Sequence, residues 1–437
     1  MASTSYLCVG GVEITNDCRV TAYMKEGLKP ATTSVRDCCC TDLNLMLGDP
    51  AYRLPHLDDA PWWDPAVPES AEFGGFIVTS ITGLDGAQTS RQVTDRTGDG
   101  AVIGRRRIQA RQIVVTGLLT GSSCCGVDYG LQWLTAALQG SLGCAPGSGC
   151  GGDDLTYLAC CPTICEDAPD FVSYEECAAP HIRTLREVAL TAGPEVISKI
   201  GGACSCCPAC PMYEVQFTLT AGRPHAYRQP VTVVSGATWD PDEVGECITW
   251  VTGDTCVDTD ECPQPGPCPL DPNCPLPDVP DLPVPDNPCV CDPLVRTRMC
   301  VSIPAGQAPT WFDAVTDLEI YAGVADLRSV RIRFYPNPLG LSVDGLDACG
   351  FCAEVNITYL PGSSTIRLDG TRRMATVTCP GREETPAGSI VYGPDGGPLE
   401  WPVLECGVAY IVCLEADAAT VSADSSVTIR TVVREGA

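Results

Sequence analysis

Alternating apolar and polar positions recur along the chain and predict β-strands. The clearest example runs from Tyr213 to Leu219, where every second residue is apolar and the residues between are polar. This pattern is typical of a strand with one buried and one solvated face. Further strands are predicted at 76–82, 112–119, 330–334, 355–359, 365–368, 373–379, 408–414 and 427–433.

Helical periodicity is limited to one short stretch. Leu131, Leu134 and Leu138 share a helical face, Asp128 can cap the start, and Gly140 can end the helix. Short strands separated by turn residues predict a mainly β chain, with a sandwich or jelly roll in its carboxy-terminal part.

A change of composition divides the chain. Residues 240–295 hold 13 acidic residues and no Lys or Arg, and 12 prolines fall within 263–293. Proline fixes φ and removes a donor, so this stretch is expected to be an extended linker. The predicted organisation is an N-terminal β-sandwich or split barrel over 1–239 with Cys-rich loop insertions, the linker over 240–295, and a C-terminal β-sandwich over 296–437.

Charge narrows the range of functions. The chain has 55 Asp and Glu against 27 Lys and Arg, a formal charge of −28. A nucleic-acid binder is disfavoured because the phosphate contribution to its affinity would be repulsive. The chain has no apolar run long enough to predict a membrane span.

Thirty cysteines are unusual for a protein that stays in a reducing cytoplasm. The N-terminus has neither the basic nor the apolar region of a secretion signal. Three explanations remain open: a metal protein, a mature chain that has lost its signal, or a protein made in a cytoplasm that works outside it.

Cysteine spacing offers two alternatives to simple disulfides. The CxCCxxC run of Cys204, Cys206, Cys207 and Cys210 has the spacing of a zinc knuckle. The spacing of six other cysteines resembles an EGF-like module, and the acidic stretch 257–261 resembles the entry of its calcium-binding versions. Those six are Cys262, Cys268, Cys274, Cys289, Cys291 and Cys300.

The chain carries no motif of a hydrolase, metalloprotease or P-loop enzyme, so no catalytic residue, cofactor or enzymatic activity is expected. A chance Cys–His pair among 30 Cys and three His stays possible in principle. Trp401 is interpreted either as a platform for a sugar or as a residue that closes the sandwich.

Two clusters are candidate partner contacts. The Trp62–Trp63 pair lies between prolines and is interpreted either as an exposed anchor or as a loop packed on its own core. The basic run Arg105-Arg106-Arg107 could pair with an acidic neighbouring subunit, or it could belong to a solvated hairpin. The interface candidates are Trp62, Trp63, Arg105, Arg106, Arg107 and Arg111.

The segment from Gly75 to Gly121 has a recognisable order: a strand, a Gly-rich turn, the loop Asp95-Arg-Thr-Gly-Asp-Gly100, a basic strand and a second apolar strand. Together with 124–134, 183–194 and 214–222, it resembles the belt domain of the distal tail and minor tail proteins of long-tailed (siphovirus-type) phages, especially those of actinobacteria. The stretches 357–362 and 368–372 with Trp401-Pro402 resemble their galectin-like or carbohydrate-binding-like sandwich.

This resemblance implies a structural protein of the virion tail tip, made in the host bacterial cytoplasm. Such proteins form a ring, typically of six copies, that joins the tail tube to the central hub, other minor tail proteins and the receptor-binding apparatus. DNA would pass through an acidic lumen that repels phosphate. The alternatives are a host-glycan-binding module in the C-terminal sandwich, or an extracellular EGF-like calcium-binding adhesin.

The implied life cycle also favours disulfides over metal, because a virion meets oxidising surroundings after lysis. Cystines would then staple long loops that bury little core. The disulfide candidates are Cys124, Cys125, Cys144, Cys150, Cys160, Cys161, Cys165, Cys177, Cys262, Cys268, Cys274, Cys289, Cys291, Cys300, Cys349 and Cys352.

Overall fold

A computed structural model describes the part of the chain that carries the fold. The described residues are 5–26, 40, 42–140, 152–162, 165, 171–200, 212–239, 244–248, 294–306, 308–347, 350–417 and 420–435. The protein is mainly β, as predicted, and its chain divides into two compact units. Unit 1 comprises Met1–Gln229 and Val432–Ala437, and unit 2 comprises Pro230–Thr431.

Unit 1 combines a multi-stranded antiparallel sheet with short helices. Its strands are β1 (Tyr6–Val9), β2 (Val12–Asn16), β3 (Phe73–Thr82), β4 (Thr89–Ser90), β5 (Val93–Asp95), β6 (Ala101–Ile103), β7 (Arg107–Ile108), β8 (Arg111–Gly121), β9 (Asp153–Leu158), β10 (Ile182–Ile200), β11 (Met212–Ala221) and β12 (Ala226–Tyr227). Its helices are α1 (Asp17–Glu26), α2 (Leu43–Met46), α3 (Cys124–Gln139) and α4 (Tyr174–Ala178).

The central ladder of unit 1 runs β3–β8–β11–β10, and the first part of β10 also pairs with β9 and β12. The predicted strands at 76–82, 112–119 and 213–219 are confirmed as parts of β3, β8 and β11. Alternate residues of β8 and β11, such as Ile113, Val115 and Phe217, are buried in one apolar core.

The predicted helix is confirmed as α3, but it begins earlier than expected. Ser123 is the N-cap, and its hydroxyl accepts a hydrogen bond from the Gly126 amide over 2.9 Å. Asp128 instead accepts from the Gln132 side chain one turn later. Gly140 follows the helix with φ +64°, a conformation that favours glycine.

Unit 2 consists of strands that form two sheets. They are β13 (Val231–Thr238), β14 (Val244–Ile248), β15 (Leu294–Ile303), β16 (Asp313–Tyr321), β17 (Leu327–Pro336), β18 (Ala353–Leu360), β19 (Thr365–Asp369), β20 (Met374–Thr378), β21 (Thr385–Pro386), β22 (Val391–Tyr392), β23 (Val403–Glu405), β24 (Tyr410–Asp417) and β25 (Ser426–Glu435). β14 lies inside the stretch predicted as linker.

One sheet of unit 2 has the order β14–β15–β24–β17–β18–β22, and the other contains β13, β25, β16, β19, β20 and β21 with β23 beside β16. The hairpin predicted around Asp369-Gly370 is confirmed as β19–β20. The strands predicted at 330–334, 355–359, 408–414 and 427–433 are confirmed in β17, β18, β24 and β25.

The end of β25 belongs to unit 1. Ala226 and Tyr227 of β12 pair with Glu435 and Arg434, whereas Val231–Thr238 pairs with Ser426–Thr431 inside unit 2. Because β13 contributes to unit 2, the contact-defined boundary falls at Gln229, ahead of the sequence-based boundary at 239.

Candidate functional site: an exposed arm on unit 1

Residues 85–110 form an arm between β3 and β8, and none of them is buried. Two short antiparallel ribbons build it. β4 pairs with β7 through Thr89–Ile108 and Ser90–Arg107, and β5 pairs with β6 through Val93–Ile103. The Gly104 amide, which donates to the Gln92 carbonyl over 2.7 Å, joins the two ribbons.

The root of the arm is fixed by a glycine and a buried arginine. Gly83 has φ +91°, and a Cβ at this position would lie 1.9 Å from the Gln112 carbonyl oxygen. The buried Arg111 donates to the Leu84 carbonyl over 2.9 Å. Burial lowers the pKa of Arg111, and nearby Tyr157 and Asp85 favour its charge. The arm thus leaves the core through a defined conformation.

The buried position of Arg111 corrects the expectation that it belongs to a partner interface. Its guanidinium holds the arm root from within and is only 2% exposed. The sequence placed it in the basic run because charged residues usually lie at the surface. Arg105, Arg106 and Arg107 are exposed on the arm, as a partner contact requires.

The arm surface combines cationic and apolar side chains. Val93, Val102 and Ile103 are 62%, 52% and 65% exposed, which is unusual for β-branched apolar residues in a strand ribbon. The arm also presents arginines at five exposed positions: Arg91, Arg96, Arg105, Arg106 and Arg107. Within the described part of the chain, Arg105, Arg106 and Arg107 form no ion pair.

Trp62 is a core residue, which corrects its interpretation as an exposed anchor. It is 3% exposed, its ring packs edge-on against Phe73 and Trp133, and its indole N–H donates to the Phe73 carbonyl over 3.1 Å. Trp63 is half-buried and packs on the same core. The flanking prolines shape a loop that folds back onto the sheet and offers no anchor at Trp62.

Several candidate cysteines form disulfides. Bonds join Cys40 to Cys161, Cys165 to Cys177 and Cys300 to Cys413, and Cys124 is also disulfide-bonded. Because Cys300 is bonded to Cys413 on the neighbouring strand, it does not complete the EGF-like set. Most of the other candidates lie outside the described residues: Cys144, Cys150, Cys262, Cys268, Cys274, Cys289, Cys291 and Cys349.

Cys125, Cys160 and Cys352 are exposed thiols, contrary to the disulfide expectation. Cys124 and Cys125 are adjacent on α3, where neighbouring side chains point in different directions, so only one of the two reaches a partner. Cys124 and Cys161 are bonded, while their neighbours Cys125 and Cys160 remain thiols. The Cys352 thiol donates to the Phe334 carbonyl over 3.3 Å.

The possible zinc ligands Cys204, Cys206, Cys207 and Cys210 lie outside the described residues. Among the residues the structure does describe, no group of three or more His, Cys, Asp or Glu side chains could hold a metal ion. Within the same ranges, no helix has the length and apolar character needed to cross a bilayer.

An open polar cleft of about 410 Å³ lies beside β1 and β2. Arg19 is buried there between Glu13 and Asp49, with Nε 2.8 Å from the Glu13 carboxylate and Nη2 3.1 Å from that of Asp49. Its guanidinium also stacks over the Tyr52 ring, 4.4 Å from the centroid. Burial raises the pKa of Glu13 although Arg19 opposes this effect. The network is satisfied internally and fixes α1 to the strands.

Three loops of unit 2 meet at one end and expose large apolar side chains. The Cys406 amide donates to the Phe312 carbonyl, and the Asn337 amide donates to the Ala409 carbonyl. Trp311 and Leu339, on two of these loops, are 78% and 80% exposed. Trp401, the aromatic residue considered from the sequence, is only half-exposed.

Comparison with known proteins gives structural neighbours alone. No protein-family model matches the chain, and no curated protein matches it. The crystal structure of the SPP1 Dit (gp 19.1) protein, described as a paradigm of the hub adsorption apparatus in phages that infect Gram-positive hosts, is similar at TM-score 0.35 and 10% identity. It covers 84% of this chain and 94% of that chain.

Two structures of the phage p2 baseplate in its activated conformation are similar at 10% identity. The form with Sr has a TM-score of 0.36 and covers 86% of this chain and 93% of that chain. The form with Ca has a TM-score of 0.32 and covers 83% and 93%. TM-scores this low do not establish a shared fold.

Proposed function

We propose that this chain is a structural protein of a phage tail tip, a ring-forming adaptor that joins the tail tube to the central hub and the receptor-binding apparatus. In this proposal it is not an enzyme. Its partners are other copies of itself, in a ring of about six, together with the tube protein and other minor tail proteins. The support is the order of motifs in the sequence and the arm on unit 1.

The exposed arm is the observation that carries the proposal. A ribbon that buries none of its residues 85–110 gains almost no stability from its own fold, since hydrophobic burial supplies most of the driving force. Yet its root is held in one conformation by Gly83 and Arg111. A fixed root with an unburied tip fits an element whose packing surface lies on another molecule.

The chemistry of the arm favours a protein partner with acidic surface. Val93, Val102 and Ile103 offer apolar area, and the exposed arginines offer charge. The chain itself carries a formal charge of −28, so another copy would attract a cationic arm. If the arm of each copy contacts the next copy around a common axis, the interface is head-to-tail. Such an interface forms a ring when the rotation between neighbouring copies closes.

The remaining partners and the location follow from the same proposal. The chain would be made in the host bacterial cytoplasm and would reside in the virion. DNA would be only in transit through the lumen, whose acidic walls would repel phosphate. The EGF-like adhesin alternative is weakened by the pairing of Cys300 with Cys413.

A second candidate function is host-glycan binding by unit 2. The observation in its favour is Trp311, whose exposed ring lies on a loop end beside Phe312, with ring centroids 6.0 Å apart. Exposed aromatic faces are suited to stacking on ligands, and the feature is compatible with an adaptor role. Trp311→Ala should abolish any glycan binding, whereas Trp401→Ala should leave it largely intact.

Site-specific photocrosslinking tests the adaptor proposal. A photoreactive residue placed at Ile103 in the arm should give crosslinks between two copies of the full-length chain. The same residue at Val403, which is exposed on unit 2, serves as the control. Crosslinks from position 103 that stay entirely within one chain, at concentrations where the chain is otherwise soluble, would contradict the proposal.

A further inference from the structure

Cys160 and His181 lie side by side at the end of the β9–β10 ladder. Leu158 pairs with Ile182, and the Ala159 amide donates to the His181 carbonyl over 2.9 Å. This continued register brings the Cys160 Sγ to 2.9 Å from the His181 Nδ1. The sequence offered thirty cysteines and three histidines, and nothing in it singled out this pair.

The two side chains have the exposure that reactivity requires. Cys160 is exposed, so a reagent can reach its sulfur, and His181 is half-buried. Burial lowers the pKa of His181, and the positive charges of Arg183 and Arg228 lower it further. The imidazole is therefore neutral at pH 7 and can accept a proton.

Two disulfides lie close to the pair. The adjacent Cys161 is bonded to Cys40, and Cys165 is bonded to Cys177. All four sulfur-bearing residues belong to or pack against one small core that includes Leu158. The Cys160 thiol is thus presented beside its base by a cross-linked scaffold.

We propose that Cys160 is a site of thiol–disulfide exchange in which His181 acts as the base, with small-molecule disulfides of the glutathione class as the reagent. This inference stands independently of the tail-tip proposal. It gives the chain one surface position at which oxidising surroundings add a covalent group, distinct from the cystines that staple its loops.

The incoming disulfide is the oxidant of the proposed step. The His181 Nδ1, in the tautomer with its proton on Nε2, accepts the proton of the Cys160 thiol. The thiolate attacks one sulfur of the reagent, the reagent's S–S bond breaks, and a Cys160 mixed disulfide forms. The released thiolate takes the proton from the imidazolium and leaves as a thiol. Cys160 is thereby oxidised, and the departing sulfur of the reagent is reduced.

The test measures modification of each thiol in the full-length chain purified without reductant. Oxidised glutathione and, separately, iodoacetamide are applied for increasing times, and digestion with mass spectrometry resolves the sites. Cys160 should react at least about tenfold faster than Cys352, whose thiol pKa is raised by burial. His181→Gln should slow Cys160 about tenfold and leave Cys125, which serves as the reference, unchanged.

Three results would overturn the inference. The first is that Cys160 reacts no faster than Cys352, and the second is that the reaction rate of Cys160 is unchanged in His181→Gln. The third is an unreduced digest in which Cys160 is already bonded to another cysteine of the chain. If His181→Gln fails to fold, the wild-type ratio of Cys160 to Cys352 decides the matter. Cys160→Ser should remove the fast-reacting site while retaining the wild-type thermal unfolding.

Discussion

The Arg183 guanidinium donates to the Glu435 carboxylate over 2.7 Å and so anchors the end of the chain to the sheet of unit 1. Arg228 donates to the other carboxylate oxygen of Glu435. Arg183 is buried and Glu435 is half-buried, so the pair is shielded from solvent. In the sequence, unit 2 is therefore an insertion in unit 1, and the end of β25 returns to the sheet of unit 1.

Glu435→Gln should lower the free energy of unfolding of unit 1 by about 2 kcal/mol, because it leaves two shielded guanidiniums without their carboxylate. The measurement is urea-induced unfolding at pH 7. Glu187→Gln, which affects a more exposed pair with Arg223, is the matched control and should cost under about 1 kcal/mol. Equal losses in the two variants would contradict the anchoring role.

The same pair predicts a pH dependence. Burial alone would raise the Glu435 pKa, but hydrogen bonds from Arg183 and Arg228 outweigh it and hold the pKa below its usual range. A depressed folded pKa means that stability is present above the unfolded value of about 4.3 and is lost as pH falls from there through the lower folded pKa. The difference between wild type and Glu435→Gln should therefore shrink as pH falls below about 4.3.

Asp17 should act in the opposite direction. Burial raises the pKa of Asp17 to about 6, and its Oδ1 has no hydrogen-bond partner among the residues that the structure describes. A folded pKa above the unfolded value of about 3.9 means that stability is lost as pH rises toward 6. Asp17→Asn should therefore stabilise the protein at pH 7, by up to about 3 kcal/mol, and have little effect near pH 4. Unfolding curves at both pH values check this, and an equal effect at the two would contradict it.

Gly83→Ala tests the arm root. A Cβ would clash with the Gln112 carbonyl in a backbone conformation with positive φ, so unfolding free energy should fall by about 2 kcal/mol or more. Gly86→Ala, three residues along the chain, is the control because a Cβ there meets no atom of the described residues within 4 Å. Thermal unfolding should separate the two variants clearly, and equal midpoints would refute a fixed root.

Reversing charge on the arm should weaken self-association without unfolding the chain. The triple variant Arg105→Glu, Arg106→Glu, Arg107→Glu removes exposed cations that make no ion pair within the described residues, so its thermal unfolding should match wild type. Association of the wild type should weaken as salt rises from about 0.05 to 0.5 M, because screening shortens the reach of exposed charges. Sedimentation velocity measures both effects, and salt-independent association would contradict a cationic contact.

Removing the Cys300–Cys413 disulfide should destabilise unit 2. The two residues face each other on β15 and β24, and the bond closes a loop across 113 positions. Cys300→Ser with Cys413→Ser should cost about 4 kcal/mol through the larger freedom of the unfolded chain. Circular dichroism melts would show this loss in the absence of reductant, and the double variant melting at the wild-type temperature would contradict it.

Much of the strand content could be predicted because it depends on local alternation. β11 alternates cleanly since one of its faces packs on the core. Two elements, α1 and β10, had weaker hydrophobic patterns in the sequence. α1 buries Val20, Tyr23 and Met24 at helical spacing, but its cysteine and charged residues obscure the pattern. β10 contains Pro194 and irregular register, which hide a long strand from periodicity.

The functional residues were harder to predict because their roles depend on distant partners. Arg111 belongs to a basic run in the sequence, yet its guanidinium is buried at the carbonyl of Leu84. Trp62 lies among prolines, yet Phe73 and Trp133 enclose it. Cys160 and His181 are 21 positions apart and meet only through the strand register. Tertiary packing decides each of these cases, and no local pattern reports it.

The mass of the intact assembly tests the central claim most directly, that an exposed arm ties copies of this chain into a ring. Native mass spectrometry of the full-length chain at low salt should give a single closed multiple of the 46.1 kDa chain, about six, that the triple arginine variant reduces to one copy. A wild-type chain that stays a single copy at every concentration, with the arm intact, would contradict the account.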